Sequence, residues 1–372
     1  MSNVCYYLVD IYAFALIKTL SNEHLHVYTI FMRKAVTIND IAKASGFSRN
    51  TVAKVLNGYH MSEKTVKIVM NKAIDMGYKG LNMAFGENGT GRTFNRILVT
   101  STHPIMDIDF FTLVVKQIES EAFHHSYDIV QLMSHDQKIL KNYINEKEID
   151  GIACFETLEK ESINNILSLE KPTAFVDFNP NLSDFHGRFD VIGIEGYRSV
   201  RSLIETLIKK TGVSSIGFIG DPTHCLGFSE RYEAVISSSS AFGLPSPASY
   251  SLLPKDGYDY GKTFLLSESL RSLKKLPDLF VCANDYIASR VNKSLRLLGV
   301  KVPEKVQVIG FDDSYEAISS SPKITTIGGD KNDLGKAVFF SLTNQIQRKL
   351  SKNSLIEMMG EPIFRESTRY FK

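Results

Sequence analysis

The sequence is poor in cysteine. Cys5, Cys154, Cys225 and Cys282 lie far apart, which argues against a disulfide framework or a zinc site and fits a reduced, cytoplasmic setting. Catalytic signatures are missing too: there is no Gly-x-Ser-x-Gly elbow, no His-Glu-x-x-His and no P-loop. No enzyme, cofactor or metal is therefore expected, and the pair His124-His125 reads as the surface of a helix rather than a metal site. Long apolar runs are also absent. VCYYLVDIYAFALI, from Val4 to Ile17, is interrupted by Asp10, is short for a bilayer span and lacks the basic start of a signal peptide. Residues 1–31 are expected to be a non-native or poorly ordered extension, with Met32-Arg33-Lys34 as the working start. An interfacial or weakly packed extra helix is the alternative reading. No membrane partner is expected.

What is present is a chain of 372 residues, 43% hydrophobic and 23% charged, long enough for two or three domains with sizeable cores. Its charge is unevenly spread. Met32 to Gly80 holds nine Lys/Arg against three Asp/Glu, a net of +6, while the rest of the chain nets −4. A basic head on a mildly acidic body is the asymmetry of a domain that meets a polyanion.

The head has the punctuation of three short helices. Thr37 and Asp40 form an [ST]-x-x-[DE] start, and Ile38, Ile41 and Ala42 make one apolar face. Ser45-Gly46-Phe47 breaks the first helix, Ser48 caps a second whose inner face is Val52, Val55 and Leu56, and Ser62 caps a third that stops at Gly77. This packing leaves Arg49, Asn50, Ala53, Lys54 and Asn57 outward. In a helix-turn-helix the second helix reads bases with its N-terminal residues, Arg pairing with guanine and Asn with adenine. A solvated face on a three-helix module is the alternative.

From Gly80 to Asn95 a glycine-rich stretch reads as a connector. From Arg96 onward apolar strands (ILVTST, YDIVQLM, DGIACF, TAFVDF, SSIGFIG, DLFVCAND, VQVIGFDD) alternate with amphipathic runs such as FFTLVVKQIESEAF, YRSVRSLIETLIKK and YIASRVNKSLRLLG. The pattern predicts two α/β units with buried parallel sheets. Ligands of such sheets bind beyond the carboxyl ends of the strands, which singles out Asp107, Asp177, Asp221, Asp285 and Asp312-Asp313. Arg231 opens a helix, and carboxylates with a guanidinium and aromatics suit a polyhydroxylated ligand. Each aspartate alone could equally be a helix cap.

The run VTINDIAKASGFSRNTVAKVLNGYHMSEKTVKIVMNKAIDMGYK, with its cap, its turn at Ala42 to Gly46, Thr51-Val52, Val55-Leu56-Asn57 and Met76-Gly77-Tyr78, resembles the head of the LacI/GalR repressors. IGFIG…GFSERYEAV, PDLFVCANDYIASRVNKSLRLLGVKVPEKVQVIGFDD, SPKITTIGGDKNDLGKAVFF and EPIFRES extend the resemblance from about Val36 to the C-terminus. Departures are Ala53 for the usual Ser, Lys54 for Arg, a loop from Gly58 to Met61 one residue short, Asp107-Ile108-Asp109 in place of Ser-Asn-Pro, the turn Ile194-Glu195-Gly196, and Cys225 and Gly227 at positions that are often polar.

The resemblance implies an all-α helix-turn-helix domain (32–80), a hinge (81–95) and a two-lobed periplasmic-binding-protein-like core of parallel sheets (96–372). It implies a repressor that binds a palindromic double-stranded operator as a homodimer under control of a small effector, most simply a sugar. A sugar-binding protein without regulatory DNA binding is the alternative. The expected DNA-binding residues are Thr37, Ser48, Arg49, Asn50, Thr51, Lys54, Asn57 and Tyr78. The expected effector residues are Asp107, Phe111, Asp177, Arg231, Tyr258 and Asp285. Glu87 falls where the family's hinge places a minor-groove leucine, and Met83 or Phe85 would have to substitute. The chain ends soon after Arg365-Glu366-Ser367, so a tetramer through a leucine-heptad tail is not expected.

Overall fold

A computed structural model describes residues 36–56, 61–76, 78, 94–101, 109–132, 134, 136–156, 158–179, 181–254, 262–347 and 352–370. The expectations for residues 1–31, for Asn57, Asp107 and Tyr258, and for Met83, Phe85 and Glu87 lie outside the described residues. Contacts divide the chain into two units, Met1–Glu87 and Asn88–Lys372. No described helix is long and apolar enough to cross a membrane.

The first unit contains α1 (Ile38–Ser45), α2 (Arg49–Leu56) and α3 (Glu63–Asp75). Its start is the capping box read from the sequence: the Thr37 amide donates to Asp40 at 2.8 Å, and Thr37 Oγ1 accepts from the Asp40 amide. Gly46 ends α1 with φ +75, a left-handed cap that a side chain would resist. Ser48 caps α2 by accepting from the Thr51 amide at 3.1 Å, and Ser62 caps α3 in the same way through Thr65. Ile41, Val52, Val55, Leu56, Val69 and Ala73 form the buried core. So few side chains make each one costly to lose: an Ile→Ala truncation in such a core removes about 2–5 kcal/mol.

The second unit begins with a six-stranded, wholly parallel sheet. Its strands are β1 (Asn95–Ser101), β2 (Tyr127–Leu132), β3 (Gly151–Phe155), β4 (Thr173–Val176), β5 (Phe189–Ile194) and β10 (Leu355–Met358), in the order β10-β5-β4-β3-β1-β2. Helices cover both faces. Ile97 and Val99 point to α4 (Asp109–His124) and α12 (Lys331–Ile346), while Leu98 points to α5 (Gln137–Lys147) and α6 (Lys160–Leu167). Burial on both sides is why these strands read as continuous apolar runs.

The second lobe is built on β6 (Ile216–Ile219), β7 (Leu279–Cys282) and β8 (Gln307–Ile309), also parallel, in the order β6-β7-β8. Around it lie α7 (Tyr197–Thr211), α8 (Leu226–Ala241), α9 (Thr263–Ser272), α10 (Asp285–Leu297) and α11 (Tyr315–Ser319). A short antiparallel pair, β9 (Thr326–Gly328) with β11 (Glu361–Ile363), completes it.

The chain passes between the lobes after β5, after β9 and after β10. Each passage carries a glycine at a close approach. A Cβ on Gly196 would lie 3.0 Å from Glu230 Oε2, on Gly329 2.4 Å from Ile194, and on Gly360 2.4 Å from Ile327. Three tight passages let two rigid lobes tilt about a common line, the usual construction of a hinge. β5, β9, β10 and β11 carry no strand reading in the sequence: β9, β10 and β11 are short, and Asp190 and Gly193 interrupt the apolar run of β5.

Candidate functional site

In the first unit, burying Val52, Val55 and Leu56 fixes which face of α2 is left outside. Arg49, Asn50 and Lys54 are exposed there, with Thr51 and Ala53 half-buried beside them. The Ser48 and Thr51 hydroxyls hydrogen-bond each other at 2.9 Å, and Thr37 is exposed at the start of α1. Tyr78 is half-buried and packs against the head's apolar core, so its ring also has a structural duty. The arrangement presents a guanidinium, an amide and an ammonium along one helix edge, the donors that read base edges and hold phosphates.

In the second unit, a solvent-open cavity of about 900 Å³ lies between the two lobes. The first lobe contributes Phe110, Phe111 and Asp177; the second contributes Glu230, Arg231, Asn284, Phe311 and Asp312. The lobes touch at its edge, where the Leu226 amide at the start of α8 donates to the Phe178 carbonyl at 2.7 Å. Three of the lining carboxylates, Glu156, Asp177 and Asp312, have positive φ (47, 65 and 103). Each follows the end of a parallel strand, so the backbone is held in a costly conformation where it turns a carboxylate toward the cavity.

Arg231 is the central cation. It is 7% exposed, its Nη1 donates to the Ala283 carbonyl at 2.6 Å, and its guanidinium carbon lies 3.5 Å from the centroid of the Phe311 ring. Its Nε is buried without a hydrogen-bond partner. A buried donor left unmade is expensive, and it belongs to a side chain that lines the cavity. The sequence reading put Arg231 at a helix start; it lies inside the second turn of α8, where its stem is packed rather than solvated.

Asp285 needs a correction. It was expected to contact the effector, yet it does not line the cavity. It is completely buried, accepting from the Ser314 amide at 2.9 Å and from Thr326 Oγ1 at 2.7 Å. Burial, with Asp312 nearby, pushes its carboxyl up to about 8. The groups that line the cavity are its neighbour Asn284, which caps α10, and Asp312. Burial raises Asp312 to about 6, opposed by the Arg231 charge. Asp221 is also structural: it accepts from the Thr223 amide and hydroxyl at 2.8 and 2.7 Å in a local turn.

Phe111 and Asp177 do line the cavity, with Phe110 edge-on to Phe111 at 5.2 Å. Glu230 and Glu357 line it as well and had no sequence signal: Glu230 was read only as part of the Ser-Glu-Arg run, and Glu357 sits on the unread strand β10. Cys225 is a buried N-cap of α8, and Gly227 leaves room for the Arg231 guanidinium, 3.1 Å from where a Cβ would stand. Glu195 takes over the turn before α7 by accepting from the Ser199 amide and hydroxyl, both at 2.9 Å. Among the described residues no cluster of His, Cys, Asp or Glu could hold a metal ion.

Residues 205–368 match the periplasmic binding protein-like domain. The NTD biosynthesis operon regulator NtdR of Bacillus subtilis (strain 168) is 26% identical over 350 residues, covering 89% of this chain and 99% of the relative. The HTH-type transcriptional repressor PurR of Haemophilus influenzae (strain ATCC 51907 / DSM 11121 / KW20 / Rd) is 27% identical over 353 residues, covering 90% and 98%. Among solved structures, the complex of the transcriptional regulator CelR with cellobiose superposes with a TM-score of 0.65 at 19% identity, covering 89% of this chain and 99% of that one. The lac repressor dimer bound to operator and anti-inducer gives 0.64 at 19%, covering 90% and 99%. The match to curated regulators covers about nine tenths of this chain and nearly the whole of each relative, and the chain is similar throughout that length to transcriptional regulators of the LacI/GalR type.

Proposed function

We propose that the chain is a DNA-binding repressor that acts as a homodimer on a palindromic operator and is controlled by a small polyhydroxylated effector in the cavity between its lobes. Residues 32–80 serve as the DNA-binding domain, 81–95 as the hinge and 96–372 as the effector-binding and dimerisation domain. The observation that carries this reading is α2, which buries Val52, Val55 and Leu56 and exposes Arg49, Asn50 and Lys54.

Twofold symmetry in the protein would be matched by an inverted repeat in the operator. The effector would act by binding the DNA-competent and DNA-incompetent states with different affinities, since only a differential affinity shifts an equilibrium. Arg231, Asp177, Asp312 and Phe111 would hold it, with no bond made or broken, so no enzymatic turnover is part of this reading. A cytoplasmic setting follows from the need to reach DNA. The PurR repressors and the operator-bound lac repressor support the regulatory role by their relationship.

The test is selection of duplexes from a randomised pool by the full chain, followed by titration of the winner against scrambled DNA. Enrichment of an inverted repeat supports the reading. Equal affinity for all duplexes, with a sugar bound in the cavity, would instead favour a binding protein without a regulatory site.

A further inference from the structure

The cavity carries more negative charge than a neutral sugar needs. Glu156, Asp177 and Glu357 come from the first lobe, Glu230 and Asp312 from the second. Against these five stands one lining guanidinium, Arg231, and it is already engaged with the Ala283 carbonyl and the Phe311 ring. The nearby Lys331 ammonium is held by the backbone oxygens of Asp312 and Asp313 at 2.8 and 3.2 Å. Hydroxyl groups can be satisfied by neutral donors and acceptors, so a sugar alone does not account for this surplus.

The surplus is concentrated at one pair. Glu230 and Glu357 line the same cavity and their side chains interact, and two neighbouring carboxyl groups need a shared proton or a cation between them. One Glu230 oxygen is fixed by the Gly196 amide at 3.0 Å, on the first passage between the lobes. Glu357 lies on β10, just before the last passage. A cation seated between them would thus tie one lobe to the other. Burial together with the Glu357 carboxyl pushes Glu230 up to about 8, so the empty cavity keeps a proton where a ligand cation could sit.

The rest of the cavity asks for a hydroxylated ring. The Arg231 guanidinium lines the cavity, a donor group suited to ligand oxygens. Phe110 and Phe111 offer apolar faces for the carbon skeleton.

We propose that the ligand of this cavity is an amino sugar, whose ammonium sits between Glu230 and Glu357 while its hydroxyls meet Arg231 and Asp312. This rests on the reading of the cavity as the effector site. It makes Glu230 and Glu357 the residues that select an amine over a hydroxyl, and it places that selection where the lobes hinge.

The experiment uses the full chain at neutral pH in thermal-shift and calorimetric titrations. The probes are D-glucosamine and D-galactosamine against D-glucose, D-galactose, N-acetyl-D-glucosamine, D-glucose 6-phosphate and calcium chloride. An amine-bearing probe is expected to bind at least about tenfold more tightly than its hydroxyl counterpart, the fold-change of one hydrogen bond to a charged group. Its binding heat should vary with the ionisation enthalpy of the buffer, because the shared proton is released. Glu357→Gln, at an exposed strand position, and Glu230→Gln should each lower the ratio of amine to neutral-sugar affinity. Their unliganded melting temperatures report whether they remain folded. A neutral, acetylated or phosphorylated sugar that binds as tightly as its amine counterpart overturns the proposal and leaves the effector reading standing. Stabilisation by calcium alone overturns it in favour of a metal site. No binding by any probe counts against both.

Discussion

The guanidinium of Arg231 lies flat over Phe311, 3.5 Å from the ring centroid, and reaches past it to the Ala283 carbonyl. One side chain therefore joins α8 to the ends of β7 and β8 and lines the cavity. Arg231→Lys keeps the charge but loses the planar stack and the fixed fork of donors. It should cost about 1–3 kcal/mol in urea unfolding and abolish the effector response, while leaving the ligand-free affinity for DNA unchanged. A variant that still releases DNA at the wild-type effector concentration would show that Arg231 is only a packing residue.

Asp285 makes stability depend on pH. Its carboxyl is raised from 3.8 to about 8 on folding, so the folded state holds a proton that the unfolded state has released. The stabilisation is complete below about pH 4 and is lost as pH rises toward 8. Glu230, raised from 4.5 to about 8, acts in the same direction. Asp285→Asn should flatten the fall in melting temperature across this window, at the expense of one of the two hydrogen bonds the carboxylate accepts. An unchanged slope would mean that Asp285 ionises normally in the folded protein.

Gly310 leaves no room for a side chain. A Cβ there would stand 2.1 Å from the Asp285 Oδ1 and 3.1 Å from its Cα. Gly310→Ala should displace the buried carboxylate and destabilise the second lobe by about 1–3 kcal/mol or more. Chemical denaturation checks it, and wild-type stability would show that the carboxylate has slack.

In the head, Arg49 and Lys54 should separate into two kinds of contact. Arg49→Ala is expected to cost about 1–3 kcal/mol on the selected operator and to relax preference at one base pair. Lys54→Ala should weaken operator and scrambled duplex alike and reduce the salt dependence of binding. Gel-shift titrations at two salt concentrations distinguish them. Equal losses on both duplexes for Arg49→Ala would remove its base-reading role.

The head was almost fully legible because its signals are local. The Thr37-Asp40 box, the Gly46 turn and the Ser48 and Ser62 caps each depend on residues within four positions of one another. The buried strands β1, β3, β4, β6, β7 and β8 were legible for a different reason, since burial on both faces writes an apolar run. The cavity was legible only in part. The strand-end rule singled out Asp177 and Asp312, which line the cavity, and the resemblance pointed to Phe111, but the rule also chose Asp285 over Asn284, and Asp313 pairs with Arg365 instead. Which of two adjacent residues turns outward depends on how α10 packs under Ser314 and Thr326, far away in the chain. Glu230 and Glu357 meet only because two lobes come together, and no local pattern records that. Asp190 behaves likewise: it accepts from Ser341, Gln345 and the Ser354 amide to fasten α12 and β10 to β5.

The most direct measurement is operator affinity with and without a cavity ligand. Fluorescence anisotropy of the selected inverted repeat, titrated with the full chain in the presence of each neutral or amino sugar, reads the coupling between head and cavity. At least one ligand should change the operator affinity by about 5- to 150-fold, a coupling of about 1–3 kcal/mol, and Arg231→Ala should erase that change while binding DNA as wild type does. A ligand that binds the cavity yet leaves operator affinity unaltered would contradict a ligand-controlled repressor.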